Sequence, residues 1–315
     1  MLDVVALGEL LIDFTFSGSN EEGYPVMSAH PGGAPANFLA ALAQYGAKTA
    51  LIGKVGDDAF GRMLRATLEE RGVNTAGLVT DPEQFTTLAF VTLDASGDRQ
   101  FSFARKPGAD TQLSYGEVAL ELIDRAKVLH FGTLSLTDEP ARSATYQTVE
   151  YAKAQGKRIS FDPNLREKLW RDLDEAREQM EWGLRRADIV KISDGEADFL
   201  WHCTPEAAAE KLIGEYGVSL ALVTLGGDGC LLKTKNAAYR RSALAIKPVD
   251  TTGAGDIFGG SANAKLLALG KEPEALTAED LKTVADFATV AAGLSTLHHG
   301  GISSIPSLAE VEKYL

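Results

Sequence analysis

Asp250-Thr251-Thr252-Gly253-Ala254-Gly255-Asp256 runs without a break into the apolar stretch 257–269. Gly253, Ala254 and Gly255 can present successive backbone N–H groups at a helix start, with the positive end of the helix dipole behind them. Asp256 follows at once and points to the same place. A carboxylate beside an anion hole suits a general base. It takes a hydroxyl proton while the amides steady charge on a transferring phosphoryl group. The plain alternative is a capped helix with Asp in its first turn. Position 258 is Phe and the next glycine is Gly259, so the Rossmann spacing G-x-G-x-x-G is missed. The P-loop pattern, G-x-S-x-G and H-E-x-x-H are absent as well.

Outward from this segment, short β-branched runs alternate with longer amphipathic ones. Strands are expected at 4–7, 49–52, 128–131, 158–161, 189–192 and 220–224, and helices at 35–45, 60–71, 140–155, 172–185 and 205–216. Apolar runs without alternation indicate strands buried on both faces, as in a parallel sheet covered by helices. Strand–helix succession indicates an α/β core. Residues 14–30 and 86–104 break the rhythm, the latter as a hairpin turning at 94–97. Four short strands with no crossover helix suggest a small antiparallel sheet projecting from the core. It is either a lid that excludes water or an edge extension of the main sheet.

Several loops at expected strand ends carry polar groups, where open α/β sheets bind ligands. Asp13 follows the first buried strand and could accept two hydrogen bonds from neighbouring sugar hydroxyls. Pro31-Gly32-Gly33-Ala34-Pro35-Ala36-Asn37 lets backbone approach a ligand and places Asn37 in the first turn of a helix. Residues 53–61 hold three glycines and an N-capping Asp57 or Asp58, with a weaker substrate role for Gly53 and Asp57. Asp162-Pro163-Asn164-Leu165-Arg166 offers a planar cation suited to phosphate. In Lys191-Ile192-Ser193-Asp194-Gly195-Glu196, Glu196 either caps a helix or holds a metal-bound water. Thr224-Leu225-Gly226-Gly227-Asp228-Gly229 is a glycine-rich turn that could lie under a nucleotide. His298-His299 reads as a helix end.

Composition narrows the function. The 315 residues are 45% hydrophobic, which allows a large core and excludes a disordered chain. A net charge of −13 argues against a nucleic-acid binder but leaves room for a local anion pocket. No apolar run reaches a membrane span, and Asp3, Glu9 and Asp13 interrupt the first segment, so neither a membrane partner nor a signal peptide is expected. Two isolated cysteines, Cys203 and Cys230, fit a reduced, cytoplasmic protein.

Gly32-Gly33-Ala34-Pro35-Ala36-Asn37 near the start and Asp250–Asp256 near the end resemble the two signatures of the ribokinase-like (PfkB) carbohydrate kinases. The resemblance covers the whole chain. Within the family it is most similar to bacterial fructokinases, through Gly8-Glu9-Leu10-Leu11-Ile12-Asp13, Arg105-Lys106-Pro107-Gly108-Ala109-Asp110, Asp162–Arg166 and Lys191–Asp194. It implies one α/β domain over 1–315, a three-layer α/β/α sandwich with a mostly parallel central sheet and a lid from about 14–30 and 86–106. It implies ATP-dependent phosphorylation of a sugar, D-fructose at O6, with 2-keto-3-deoxygluconate, ribose or a nucleoside as alternatives and a silent sugar sensor as the non-enzyme reading.

The resemblance also assigns residues. Asp256 matches the base, Gly253, Ala254 and Gly255 the anion hole. Asp13, Gly32, Gly33 and Asn37 match the sugar positions, completed by Asn164 and Arg166, with Phe101 and Arg105 facing the sugar from the lid. Thr224, Gly226 and Gly229 match the nucleotide loop, beside Lys191. Glu196 matches the acid of the N-x-x-E motif, whose Asn is Ser193 here, a group with fewer directed donors. Asp250 and Thr252, with weaker Ser295, His298, Gly300 and Ser304, match a monovalent-cation site. The expected small molecules are ATP with Mg2+, a sugar and K+, and a homodimer through the lid is the expected assembly.

Overall fold

The computed structural model describes residues 1–93 and 99–315, with the side chains of 92–101 outside the description. The turn expected at 94–97 therefore lies outside the described residues. Nine strands form the main sheet, in the order β13-β12-β11-β10-β9-β8-β1-β4-β5. They are β1 (Val4–Leu7), β4 (Thr49–Gly56), β5 (Val73–Asp81), β8 (Val128–Gly132), β9 (Arg158–Asp162), β10 (Ile189–Ser193), β11 (Leu220–Thr224), β12 (Cys230–Lys233) and β13 (Ala238–Arg241). The seven from β5 to β11 pair in parallel, and β12 and β13 close the edge antiparallel. Along β1, Val5 and Leu7 join one apolar core, while Val4 and Ala6 join the core of the opposite face. That two-sided burial is why these strands read as continuous apolar runs.

Helices cover both faces. On one lie α3 (Leu120–Asp124), α4 (Ala141–Ala154), α5 (Leu173–Leu184), α6 (Asp194–Trp201) and α7 (Pro205–Gly214). On the other lie α1 (Ala34–Gln44), α2 (Ala59–Glu70), α8 (Ala254–Leu269) and α9 (Ala278–Ser295), with α10 (Leu308–Glu312) at the end of the chain. The result is the expected three-layer α/β/α sandwich around a mostly parallel sheet. Helix α8 is buried nearly all round, and Gly260 meets the backbone of Phe38 so closely that α1 and α8 pack almost backbone to backbone.

A second sheet has the order β3-β2-β6-β7, formed by β2 (Leu11–Ser19), β3 (Pro25–Gly32), β6 (Leu88–Leu93) and β7 (Arg99–Ala104). It is mixed rather than antiparallel throughout: β2 and β6 pair in parallel. Both leave the main body at their first residues and run outward, so their directions agree. The structure also moves Asp13 from the end of the first strand to the third position of β2, opposite His30 of β3 and Ala89 of β6. Gly53–Gly56, read above as loop, extends β4, because it pairs in parallel with Leu78–Asp81 of β5. Asp58 caps α2 by accepting from Gly61 N at 2.8 Å, while Asp57 is exposed and pairs with Arg62.

Strand order reverses between β1 and β8, with β4 and β5 built outward on one side and β9–β11 on the other. The carboxyl ends at this reversal are where an open α/β sheet leaves a crevice.

Candidate active site

Two connected pockets open at those strand ends. The first, about 640 Å³ of empty space, is walled by Asp13, Gly33, Asn37, Asn164, Arg166, Thr252, Gly253 and Asp256, among others. The second, about 1670 Å³, runs past Lys191, Ser193, Glu196, Thr224, Gly226, Gly229 and Gly255. Asn164, Arg166 and Thr251 line both, so they mark the junction. Segments separated by more than two hundred residues thus meet as the sequence patterns implied.

Asp256 is the third residue of α8, whose N-cap is Gly253 in the left-handed region at φ 74°. Its Oδ2 accepts from Asn37 Nδ2 at 2.8 Å. Burial raises its pKa, against the Asn37 bond and the charges of Lys191 and Arg166. A Cβ at Gly253 would stand 2.9 Å from Gly301 Cα and 3.1 Å from Asn37 Nδ2, and one at Gly301 would overlap Asn37 Oδ1. Two glycines therefore hold the Asn37 amide in a slot. At this helix start Ala254 N donates to Thr251 O at 3.3 Å.

Asp13 faces the same pocket. Burial pushes its carboxyl up to about 7, with Arg166 opposing and Asp256 and Asp250 adding to the rise. Gly32 is not a wall. Its missing side chain leaves room for the carboxylate, since a Cβ there would overlap Asp13 Oδ2. Asn164 takes φ 46° and its N donates to Asp162 Oδ1 at 3.2 Å, a turn that swings its side chain into the junction.

Glu196 closes a capping box at the start of α6. Its Oε2 accepts from Ser193 N at 2.8 Å and Ser193 Oγ at 3.0 Å, and its Oε1 from Leu165 N at 2.8 Å. The capping alternative is therefore realised, and it ties the loop after β9 to the loop after β10. Gly229, at φ 104°, is needed for the turn itself, because any Cβ would overlap Arg241 O.

Asp250 gathers the other loop. Its Oδ1 accepts from Thr252 N and Oγ1 at 2.9 and 2.7 Å, and its Oδ2 from Gly300 N at 3.0 Å. Among the histidines, His299 brings its Nδ1 to 3.6 Å from Asp250 Oδ2. Ser295 and Ser304 spend their hydroxyl protons on Ala292 O and Gly301 O.

Arg105 is the clearest departure from expectation. It lies at the root of β7 but lines neither pocket. Its side chain is 2% exposed, pairs with Asp110 at 2.7 Å, and donates to Thr137 Oγ1 and Leu134 O. With its donors turned inward it anchors the small sheet to the loop after β8. Arg105→Met should cost about 3–5 kcal/mol in urea unfolding, the range for leaving a buried partner charge unpaired. Ligand affinity of the folded variant should stay near wild type; a large loss of affinity at unchanged stability would restore the wall role. Phe101 pairs through its backbone with Val91, and its side chain lies outside the described residues.

Sequence reasoning missed the walls Glu9, Leu11, Phe103 and Leu134. Burial pushes Glu9 up to about 7, although Ala34 N donates to its Oε1 at 2.8 Å. It also missed the apolar side of the second pocket, formed by Leu244, Ile246, Pro248, Phe258 and Ala292.

Residues 1–308 match the model of the pfkB family carbohydrate kinases. The chain belongs to that family. Fructokinase-1 of Zea mays is 42% identical over 314 residues, covering 98% of this chain and 96% of that protein. Fructokinase of Xylella fastidiosa, solved with bound ATP, superposes with a TM-score of 0.89 at 29% identity, over 100% of this chain and 98% of that one. A fructokinase double mutant from Vibrio cholerae O395, bound to fructose, ADP and a potassium ion, gives 0.87 at 30% identity over 100% and 98%. The protein is accordingly an ATP-dependent carbohydrate kinase. Among the described residues no helix of this kinase is long and apolar enough to cross a membrane.

Proposed function

We infer that this kinase transfers the γ-phosphoryl group of ATP to O6 of D-fructose. The observation that supports this best is Asp256, held by Asn37 in the wall of the smaller pocket, one residue from Gly255 in the wall of the larger, mainly apolar one. Full-length fructokinase relatives near 40% identity point to the sugar. In this reading the sugar lies between Asp13, Gly33, Asn37 and Asn164. Asp256 takes the proton from the attacking hydroxyl, and the amides of Gly253, Ala254 and Gly255 receive the charge of the moving phosphoryl group, with Arg166 beside them. Positioning and electrostatics supply most of the acceleration.

Lys191, Ser193, Thr224, Gly226 and Gly229 line the nucleotide side, and the apolar wall takes the base. Mg2+ suits such a site, since it keeps most of its waters and leans on substrate phosphates; bound there, it neutralises phosphate charge. Both Glu196 oxygens already accept hydrogen bonds, so this carboxylate would meet the ion through water. The oxygen donors of Asp250 and Thr252 suit a potassium ion.

The four-stranded sheet is read as a lid over the sugar, within one domain spanning the chain. Phe16 and Val26, exposed on its neighbouring strands β2 and β3, fit a homodimer contact. A panel of fructose, ribose, 2-keto-3-deoxygluconate and nucleosides, read by ADP release, tests the substrate. Fructose should give the highest kcat/KM by at least tenfold. A higher value with another acceptor overturns the assignment.

A further inference from the structure

Gly255 has a neighbour, Lys191, that the reading above uses only as part of the nucleotide wall. A Cβ at position 255 would stand 3.0 Å from Lys191 Nζ and 3.5 Å from its Cε. The ammonium therefore lies beside the start of α8, where a side chain at 255 would otherwise project. It reaches there from β10, a central strand, and lines the second pocket next to Gly255. It is held from the other side by Asp162, the last residue of neighbouring β9, with Oδ2 at 3.0 Å and Oδ1 at 3.2 Å. Both side chains are about nine-tenths buried.

Burial works to lower the Lys191 pKa. Asp162, Glu196 and Asp256 outweigh it and push the group up to about 12, so the cation is permanent at neutral pH. Taking such a pair out of water costs several kcal/mol per ion, and a pair of well-packed apolar side chains is often as stable. A stability role is therefore a weak reason for a buried ion pair at this place. A fixed positive charge at the point where phosphoryl charge develops, in a water-poor cleft, is a strong one. Lysine serves phosphate as a compact point charge, and Gly255 leaves the path between it and the pocket open.

Resting on the phosphoryl-transfer reading above, we propose that Lys191 is a catalytic residue that contacts the transferring phosphoryl group, and that Asp162 is its positioning residue. The new bond joins the sugar oxygen to the γ-phosphorus. The bond from the γ-phosphorus to the β–γ bridging oxygen breaks, and its electron pair leaves on ADP. The hydroxyl proton passes to Asp256. The Lys191 proton stays where it is, and its charge acts on the phosphoryl oxygens and the leaving oxygen. Asp162 also holds the 162–164 turn, so one carboxylate sets the cation and the loop that presents Asn164.

The test compares wild type, Lys191→Met, the double variant Asp162→Asn/Lys191→Met and Asp256→Asn by steady-state kinetics, thermal unfolding and trapping of Mg-ADP with fluoroaluminate and sugar. Lys191→Met should lower kcat by about 10²-fold, near the effect of one lost transition-state donor. The KM values for sugar and ATP should stay within about threefold, and trapping should be lost. The double variant removes the lysine together with its direct partner, so only the less direct charges of Glu196 and Asp256 lose a neighbour. It should keep wild-type Tm within a few degrees and show the same kcat loss, which separates catalysis from folding if the single variant is unstable. A double variant that folds and retains kcat within threefold overturns the proposal, as does a loss confined to KM. If Asp256→Asn also keeps its activity, the failure belongs to the underlying transfer reading. If Asp256→Asn is inactive and the lysine variants are not, it belongs to Lys191 alone.

Discussion

Asp256→Asn is expected to lower kcat by about 10²- to 10⁴-fold, the span of general acid–base contributions. Asparagine keeps the shape and can still accept from Asn37 Nδ2, so the pocket should remain assembled. What is lost is the ability to carry a proton. The starting carboxylate is well suited to the task, because burial raises its pKa while Asn37, Lys191 and Arg166 keep it from rising without limit. KM for ATP should change by less than about threefold, since the nucleotide-side residues are untouched. Steady-state kinetics with saturating sugar decide the matter, and a kcat within threefold of wild type removes Asp256 from the base role.

Asp13→Asn should act on the sugar. A carboxylate accepting two hydroxyl hydrogen bonds contributes about 1.5–3 kcal/mol for each. Losing the charge should raise sugar KM by about 10²-fold, with a much smaller change in kcat. The pH dependence has a definite sign. The Asp13 carboxyl of the empty enzyme is held at about 7, so kcat/KM should fall as pH drops below that value. In the variant this acid limb should move to lower pH. Stability runs the other way. A folded-state pKa raised from 3.8 to about 7 means that the folded chain keeps a proton which the unfolded chain gives up, so this group costs stability as pH climbs from about 4 to 7. Asp13→Asn should therefore melt above wild type at pH 8, with the difference shrinking towards pH 5. Unchanged sugar KM, or a melting difference that grows as pH falls, would refute the assignment.

The parts of the fold that read correctly from sequence are those with a one-dimensional signature. Residues 4–7 and 220–224 are strands with these bounds because both faces of each are buried. Strand β5 escaped notice because Asn74, Ala76 and Thr80 are exposed and Gly77 interrupts it, so neither a continuous nor a clean alternating pattern results. Helix α9 is rich in Ala and Thr and has little contrast between its faces.

At the site, glycine and acidic motifs marked where the backbone must come close to a ligand. They could not show which way a long side chain turns. The resemblance gives Arg105 a sugar-facing place in the lid, but its partner Asp110 lies five residues on and draws it inward. Lys191 has the opposite history. The resemblance sets it beside the nucleotide loop, and its approach to Gly255 at the start of α8 shows only in three dimensions. Leu244, Ile246 and Pro248 belong to a stretch without periodicity, so their shared wall has no signal in the chain.

Asp13 stands near the inner end of β2, and the strand continues to Ser19 at the far end of the small sheet. From residue 13 to residue 19 the arm measures about 20 Å, at ~3.3 Å per residue. On the lid reading proposed above, such an arm is a lever with Asp13 close to its fulcrum, where β3 and β6 flank the same level. A swing of several ångströms at the outer end translates into a small fraction of that at the carboxylate. A lid of this kind would widen the mouth of the pocket for traffic of substrate and product while the floor kept its geometry, and each turnover would begin from a site already in register.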